Sequence, residues 1–265
     1  MFSVVIPLYN KELSISNTIQ SVLDQTFQNF EIVIVNDGST DNSVKEVEKF
    51  DDKRIRLIHQ KNQGVSAARN RGIEEAKYEW VAFLDADDLW RENHLKTLDD
   101  MIKKYPIDKV FTTSYIQSNQ TETEKPNNTI DVIDNYFKAA LERRVTWTSI
   151  MCANKEVFDK VGGFNIKLSR GEDLDLWARI GREYRYIKSN LITAIYRVGF
   201  ENNLTTGRSV YNKSILSVID LKVLEGDERK YFKRMITGRL KSNIKHLAFT
   251  ESVRIIKQHK MELFH

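Results

Sequence analysis

The sequence predicts an α/β chain built on a Rossmann-like, doubly wound and mostly parallel sheet flanked by helices, with a helical C-terminal extension. Three observations carry this prediction. Short runs rich in Val, Ile and Phe recur through the first part of the chain, amphipathic helical patterns separate them, and the last part keeps a helical period with no strand signal. The expected organisation is one body over residues 1–205, in halves 1–100 and 101–205, followed by a basic extension over 206–265.

Each element follows from local pattern. "FSVVIPL" (2–8), "FEIVIVN" (30–36), "IRLIH" (55–59) and "WVAFLDA" (80–86) suit strands covered on both faces. Between them, Leu13, Ile15, Ile19, Val22 and Leu23 predict a helix over 13–25, the cap candidates Ser39 to Asp41 open one over 41–50, and a third spans 64–77. A helix over 91–104 and a strand over 108–115 follow. "IQSNQTETEKPNN" (116–128) reads as an exposed loop. Beyond it come a helix over 131–142, a strand-like "TWTSIMCAN", a helix containing Leu176, Trp177 and Ile180, and helical pattern through 208–263.

Composition sets bounds on function. The chain is 265 residues long with 41% hydrophobic and 29% charged residues, enough to bury a substantial core. Cys152 is the only cysteine and reads as a small buried hydrophobe, so a reducing compartment is expected. The apolar start lacks the basic lead of a signal peptide and no eighteen apolar residues run together, so the expectation is a cytoplasmic chain without membrane spans. Net charge is +4, but ten Lys/Arg against Glu251 alone lie between Arg229 and Lys260, so the remainder is net acidic. No nucleic acid partner is expected. No Gly-x-Gly-x-x-Gly follows the first strand, which argues against a dinucleotide dehydrogenase, and "IPLYNKE" is not the Gly-rich phosphate loop of a nucleotidyltransferase.

In doubly wound sheets, ligands sit beyond the carboxyl ends of the strands. That rule places Pro7 to Asn10, Asp37, Asn62, Arg69 and the acids of "FLDADDLW" on one polar rim. Asp85 and Asp87 can hold Mn²⁺ or Mg²⁺, whose hard character suits carboxylate oxygens and substrate phosphates. Asp88 reads instead as a cap of the next helix. Asp37, in "VNDGSTD", is open to two readings: acceptor of a pyrimidine imide N–H, or turn residue before Gly38. "NQGVSAARNRG" puts Gly64, Ala67, Ala68 and Gly72 where a backbone approaches something closely, either a ligand or the sheet, with Arg69 available for a diphosphate or base. Glu172 and Asp173 begin the helix that contains Trp177.

Taken in order, "VVIPLYN", "EIVIVNDGSTD", "NQGVSAARNRG", "WVAFLDADD" and "GGFNIKLSRGEDLDLWARI" resemble the family-2 glycosyltransferases of the GT-A fold, over roughly residues 2–200. The resemblance implies an inverting, metal-dependent transfer of one sugar, most simply a hexose from a UDP-sugar, to a hydroxyl of a glycan or lipid-linked acceptor in bacterial surface polysaccharide synthesis. It makes 1–100 the nucleotide-sugar half and 101–205 the acceptor half. It implies that Pro7, Tyr9 and Asn10 border the uridine, Asp37 reads uracil, and Asn62 and Arg69 lie near the nucleotide. By the same likeness Asp85, Ala86 and Asp87 form the Asp-x-Asp element that meets the ribose and the metal. Asp173 would be the base that takes the acceptor proton, and Glu172 would bind or orient the acceptor. Many relatives carry a His after a Tyr-Arg pair, whereas this chain reads "YRVGFENN" with Gly199 near that place, so no third metal ligand is assigned. The Gln-x-x-Arg-Trp signature of processive synthases is missing. Another reading is a catalytically silent sugar-nucleotide-binding subunit of an assembly complex. In the extension, Phe232, Ile236, Leu240, Ile244 and Leu247 fall on one helical face with basic residues at other angles. That pattern suits either packing on the body or contact with an anionic membrane at its cytoplasmic side.

Overall fold

The structure is a computed structural model that describes residues 1–121, 127–199, 211–245 and 249–264. Its first part alternates as expected: β1 (Phe2–Leu8), α1 (Ile15–Leu23), β2 (Phe30–Asn36), α2 (Ser43–Glu48), β3 (Ile55–His59), α3 (Val65–Glu75) and β4 (Trp80–Phe83). After it come β5 (Leu89–Trp90), α4 (His94–Lys104), β6 (Val110–Gln117), β7 (Ile130–Ile133) and α5 (Tyr136–Glu142). The second part continues with β8 (Met151–Asn154), α6 (Lys155–Val161), α7 (Glu172–Glu183) and β9 (Tyr186–Tyr196), and ends in α8 (Gly226–Lys245) and α9 (Phe249–Phe264).

Among the described residues the strands form one nine-stranded sheet in the order β3-β2-β1-β4-β8-β6-β9-β5, with β7 also on β9. The strands β3, β2, β1 and β4 are mutually parallel, whereas β8 pairs antiparallel with both β4 and β6. Strand order therefore reverses at β1, between β2 and β4, which is where ligand crevices open in such sheets.

Alternation explains the three layers. Phe2, Val4, Ile6 and Leu8 of β1, with Ile32 and Ile34 of β2, face a core shared with Ile15, Ile19 and Val22 of α1 and Leu98 of α4. Val5, Val33 and Val35 point the other way, into a core with Ala68 of α3 and Trp177 of α7. With a side-chain period of two, consecutive hydrophobic residues are what a strand buried on both faces requires. β3 departs from this, since its residues are only half-buried: it is the edge of the sheet, with one neighbour, β2.

Other expectations need revision. The helix expected over 131–142 is split: Ile130–Ile133 pairs antiparallel with β9, and only then does Asn135 cap α5 by accepting from the Lys138 N–H at 2.9 Å. "TWTSIMCAN" enters β8 through a 3₁₀ turn at Thr148–Ile150. Asp88 does not cap α4, whose N-cap is Asn93. Strand β9 has no counterpart in the expected elements. Of the exposed loop 116–128, residues 122–126 lie outside the described residues, as do 208–210 and 246–248 of the expected helical stretch.

The extension is joined to the body. Phe232 and Ile236 are buried in the same core as Val5 and Trp177, Leu240 packs against that core, and the Phe232 ring lies 6.0 Å from Phe137 of α5. The apolar stripe is thus turned inward where it can be followed. Leu247 is outside the described residues, and the placement of the Ile244 side chain is not described either.

Candidate active site

A cavity of about 870 Å³ opens at the carboxyl ends of β1, β2 and β4. Every candidate site residue read from the sequence lines it. Pro7, Tyr9 and Asn10 come from the end of β1, Asp37 from the end of β2, and Asn62 and Arg69 from either side of the start of α3. Asp85, Ala86 and Asp87 follow β4, and Glu172 and Asp173 open α7.

The β1 and β2 ends are fastened together. Asn10 has φ +50°, a left-handed backbone that Asn tolerates better than most residues, and its Oδ1 accepts from the Thr40 N–H at 2.8 Å. Tyr9 remains 47% exposed at the mouth. Asp37 is buried, and its carboxylate accepts from Gln60 Nε2 at 2.7 Å and from the N–H groups of Gln63 and Gly64 at 2.9 and 2.8 Å. Asp37 therefore shapes the 60–64 loop that presents Asn62. Gly38, with φ +75°, lies so near this loop that a Cβ would stand 3.1 Å from the Asn62 nitrogen. Gly64 (φ +91°) meets nothing within 4 Å, so it serves the turn into α3 rather than a close approach.

The acids form a dense cluster. Asp87 Oδ2 is 2.6 Å from Lys11 Nζ, and Asp85 Oδ1 accepts from Arg69 Nη2 at 2.7 Å. The same guanidinium donates through Nη1 to Glu172 Oε1 at 3.1 Å and lies over the Phe164 ring. Arg69 is 5% exposed and so joins, inside the protein, acids supplied by the two halves of the chain. Burial raises the Asp85 carboxyl, opposed by Arg69 and reinforced by Asp87. Asp88 is pushed well up, by burial first and then by Asp85 and Asp87. It is held by Ser149 Oγ at 2.6 Å and by the Arg197 N–H at 3.3 Å, which is why it cannot serve as a helix cap. Asp173 is pushed up to about 6, by burial first and by the neighbouring Glu172 charge second, while its own helix's Leu174 N–H opposes the shift.

Asp85 and Asp87 offer the hard oxygen donors that Mg²⁺ or Mn²⁺ prefers, in a cluster whose excess negative charge an ion would offset. Among the described residues, no three His, Cys, Asp or Glu side chains converge on a metal position. Two carboxylates with the rest of the shell left to phosphate and water is a normal arrangement for Mg²⁺, so the residues fit.

Sequence reasoning missed several participants. Asn70 staples α3 to the loop before α7, accepting from the Phe164 N–H at 2.7 Å and donating to its carbonyl at 2.8 Å. Its signal was present in "NQGVSAARNRG", one residue past Arg69. Lys11 continues the β1 rim and was equally visible. Ser149 and Arg197, which hold Asp88, carry no local signal, nor do the C-terminal Ile215, Met235 and Arg239, which line the cavity. The segment 213–215 holds the loop in front of the acids: Ser169 N–H donates to the Lys213 carbonyl at 2.7 Å and Ile215 N–H to that of Arg170 at 3.0 Å. A Cβ on Gly171 (φ +74°) would stand 2.6 Å from Ile215 Cγ2.

The family model of glycosyl transferase family 2 matches residues 3–162. The chain belongs to this family. It is 40% identical over 118 residues to the glycosyltransferase GlyG of Streptococcus pneumoniae, a match covering 43% of this chain and 39% of GlyG. It is 44% identical over 108 residues to the uncharacterized glycosyltransferase YibD of Escherichia coli, covering 40% of this chain and 31% of YibD. The matches thus span less than half of either relative. Among solved structures, residues 1–349 of S. aureus TarS in complex with UDP-GlcNAc align over 96% of this chain and 79% of that one, with TM-score 0.78 and 19% identity. That likeness shows the GT-A fold.

Proposed function

We propose that the chain is an inverting glycosyltransferase that moves a single hexose from a UDP-sugar to a hydroxyl of a glycan or lipid-linked acceptor in bacterial surface polysaccharide synthesis. The observation that carries this reading is Arg69, whose guanidinium ties Asp85, one of the two proposed metal carboxylates, to Glu172, the neighbour of the proposed base Asp173. Asp85 and Asp87 would hold Mn²⁺ or Mg²⁺. Bound there, the ion supplies Lewis-acid stabilisation of the departing diphosphate.

The chain's own residues have separate tasks. Tyr9 and Asn10 border the base and ribose, and Asp37 acts chiefly through the loop that carries Asn62, with its direct reading of uracil the lesser part of its role. Asp173 accepts the proton of the attacking hydroxyl as the oxygen closes on the anomeric carbon, a role that suits an acid raised toward neutrality. Glu172, held by Arg69, positions the start of α7. The sugar changes hands in one displacement, so an α-linked donor gives a β-linked product.

Incubation with a panel of UDP-hexoses and Mn²⁺ or Mg²⁺, read by mass spectrometry, tests the reading. Donor consumption is expected in the wild type and its loss in Asp87→Ala. UDP binding without consumption of any donor would point instead to a silent binding subunit.

A further inference from the structure

The cations of the cavity are not equivalent. Lys11 and Arg69 are each in contact with an acid of the cluster, Arg239 is 3.3 Å from Glu251, and Arg170 is also engaged. Arg144, just before the 3₁₀ turn that leads into β8, has no carboxylate within ion-pair distance among the described residues. Its Nη1 donates to the Tyr115 hydroxyl at 3.0 Å, and its guanidinium lies 5.9 Å from the centre of that ring. Trp147, three residues on, contacts both Tyr115 (4.8 Å, tilted by 55°) and Tyr196 (4.6 Å, at 89°). Arg144, Trp147 and Tyr196 all line the cavity, and all come from the second half of the chain.

We infer that the corner formed by Arg144, Trp147 and Tyr196 is the acceptor subsite, and that it takes a sugar ring carrying a negative charge, as phosphate or as carboxylate. This rests on the glycosyltransferase reading above. An indole braced by two phenols and lining the cavity offers rigid apolar surface against which the C–H face of a pyranose can lie at small entropic cost. A guanidinium steadied by a neutral phenol keeps its fork available to an anion, which it binds through paired, charge-assisted hydrogen bonds. The acids Asp85, Asp87 and Asp88 are felt as far as Tyr196, so Arg144 offsets their repulsion of a charged acceptor and thereby also fixes its orientation.

The test is saturation-transfer NMR on the full chain with UDP present, using methyl glucoside, glucose 6-phosphate and methyl glucuronide as probes. The wild type should bind one or both charged probes about tenfold more tightly than the neutral one. Whichever charged probe leads identifies phosphate or carboxylate. Arg144→Gln should erase the preference, Arg144→Lys should restore part of it, and both should keep UDP affinity within about twofold by calorimetry. Equal binding of charged and neutral probes, or a preference that survives Arg144→Gln, would overturn the assignment. A matching loss of UDP affinity would hand Arg144 to the donor's diphosphate and overturn it as well. A wild-type chain that takes the charged probes through Arg144 but not UDP would keep the subsite and sink the donor reading.

Discussion

Arg69 is buried with a partly buried carboxylate on each side of its guanidinium, and the pairing is worth more through the harm of losing it than through its own attraction. Arg69→Met leaves the partly buried Asp85 and Glu172 without their shared cation, so urea unfolding should show a loss of about 1–3 kcal/mol. A loss under about 1 kcal/mol would mean that water reaches both acids in the folded chain. Asp173 makes a different prediction. Its carboxyl is raised to about 6 and the proposed role as base requires the ionised form, so on that proposal turnover should fall as pH drops through about 6 and level off above it. The same shift has the opposite sign for stability: the folded chain prefers the protonated acid, so ionising Asp173 weakens the fold as pH rises from its ordinary carboxyl range to about 6. Asp173→Asn should lower kcat by about 10²–10⁴-fold, remove that pH limb and leave UDP affinity intact by calorimetry. Lost UDP affinity would move Asp173 out of the base role.

At the level of elements, α3 lies close on β1 because Gly72 has no side chain: a Cβ there would fall 2.2 Å from Val5 Cγ1. Gly72→Ala should therefore cost about 1–3 kcal/mol by overpacking, and adding Val5→Ala should recover part of it, as thermal melts of the single and double variants would show. If the second substitution only adds to the first, the clash is not where stability is lost. The helix-and-sheet reading of the small residues in "NQGVSAARNRG" was legible, as were β1, β2 and the rim of acids, because each is written within a few neighbouring residues. β9 was not. Its middle carries Lys188, Ser189 and Asn190, which interrupt any apolar run, yet Lys188 is buried with its ammonium donating to the Thr113 carbonyl at 2.8 Å. β7 was read as helix because Ile130–Ile133 joins smoothly to the apolar period of α5, and only pairing with β9 tells them apart. The contact of Arg69 with Glu172 crosses so much chain that no local pattern encodes it.

For the molecule as a whole, the inward turn of α8 changes what its basic character can do. With Phe232 and Ile236 in the core, α8 turns the described part of its apolar stripe inward, so contact of its basic face with a membrane would rest on charge. The chain should then sediment with anionic vesicles at low salt, release them near physiological ionic strength, and ignore neutral vesicles at any salt. Retention on neutral vesicles would reveal an apolar anchor. The hold of residues 213–215 on the loop before Glu172 has a consequence in time. A ribosome makes the nucleotide wall first and the acid-bearing loop later, but that loop receives its backbone partners only after Lys213 and Ile215 have emerged from the exit tunnel. A nascent chain can thus assemble its donor side while the prospective base is still unsupported, and it gains competence for transfer only as this later stretch of translation folds into place.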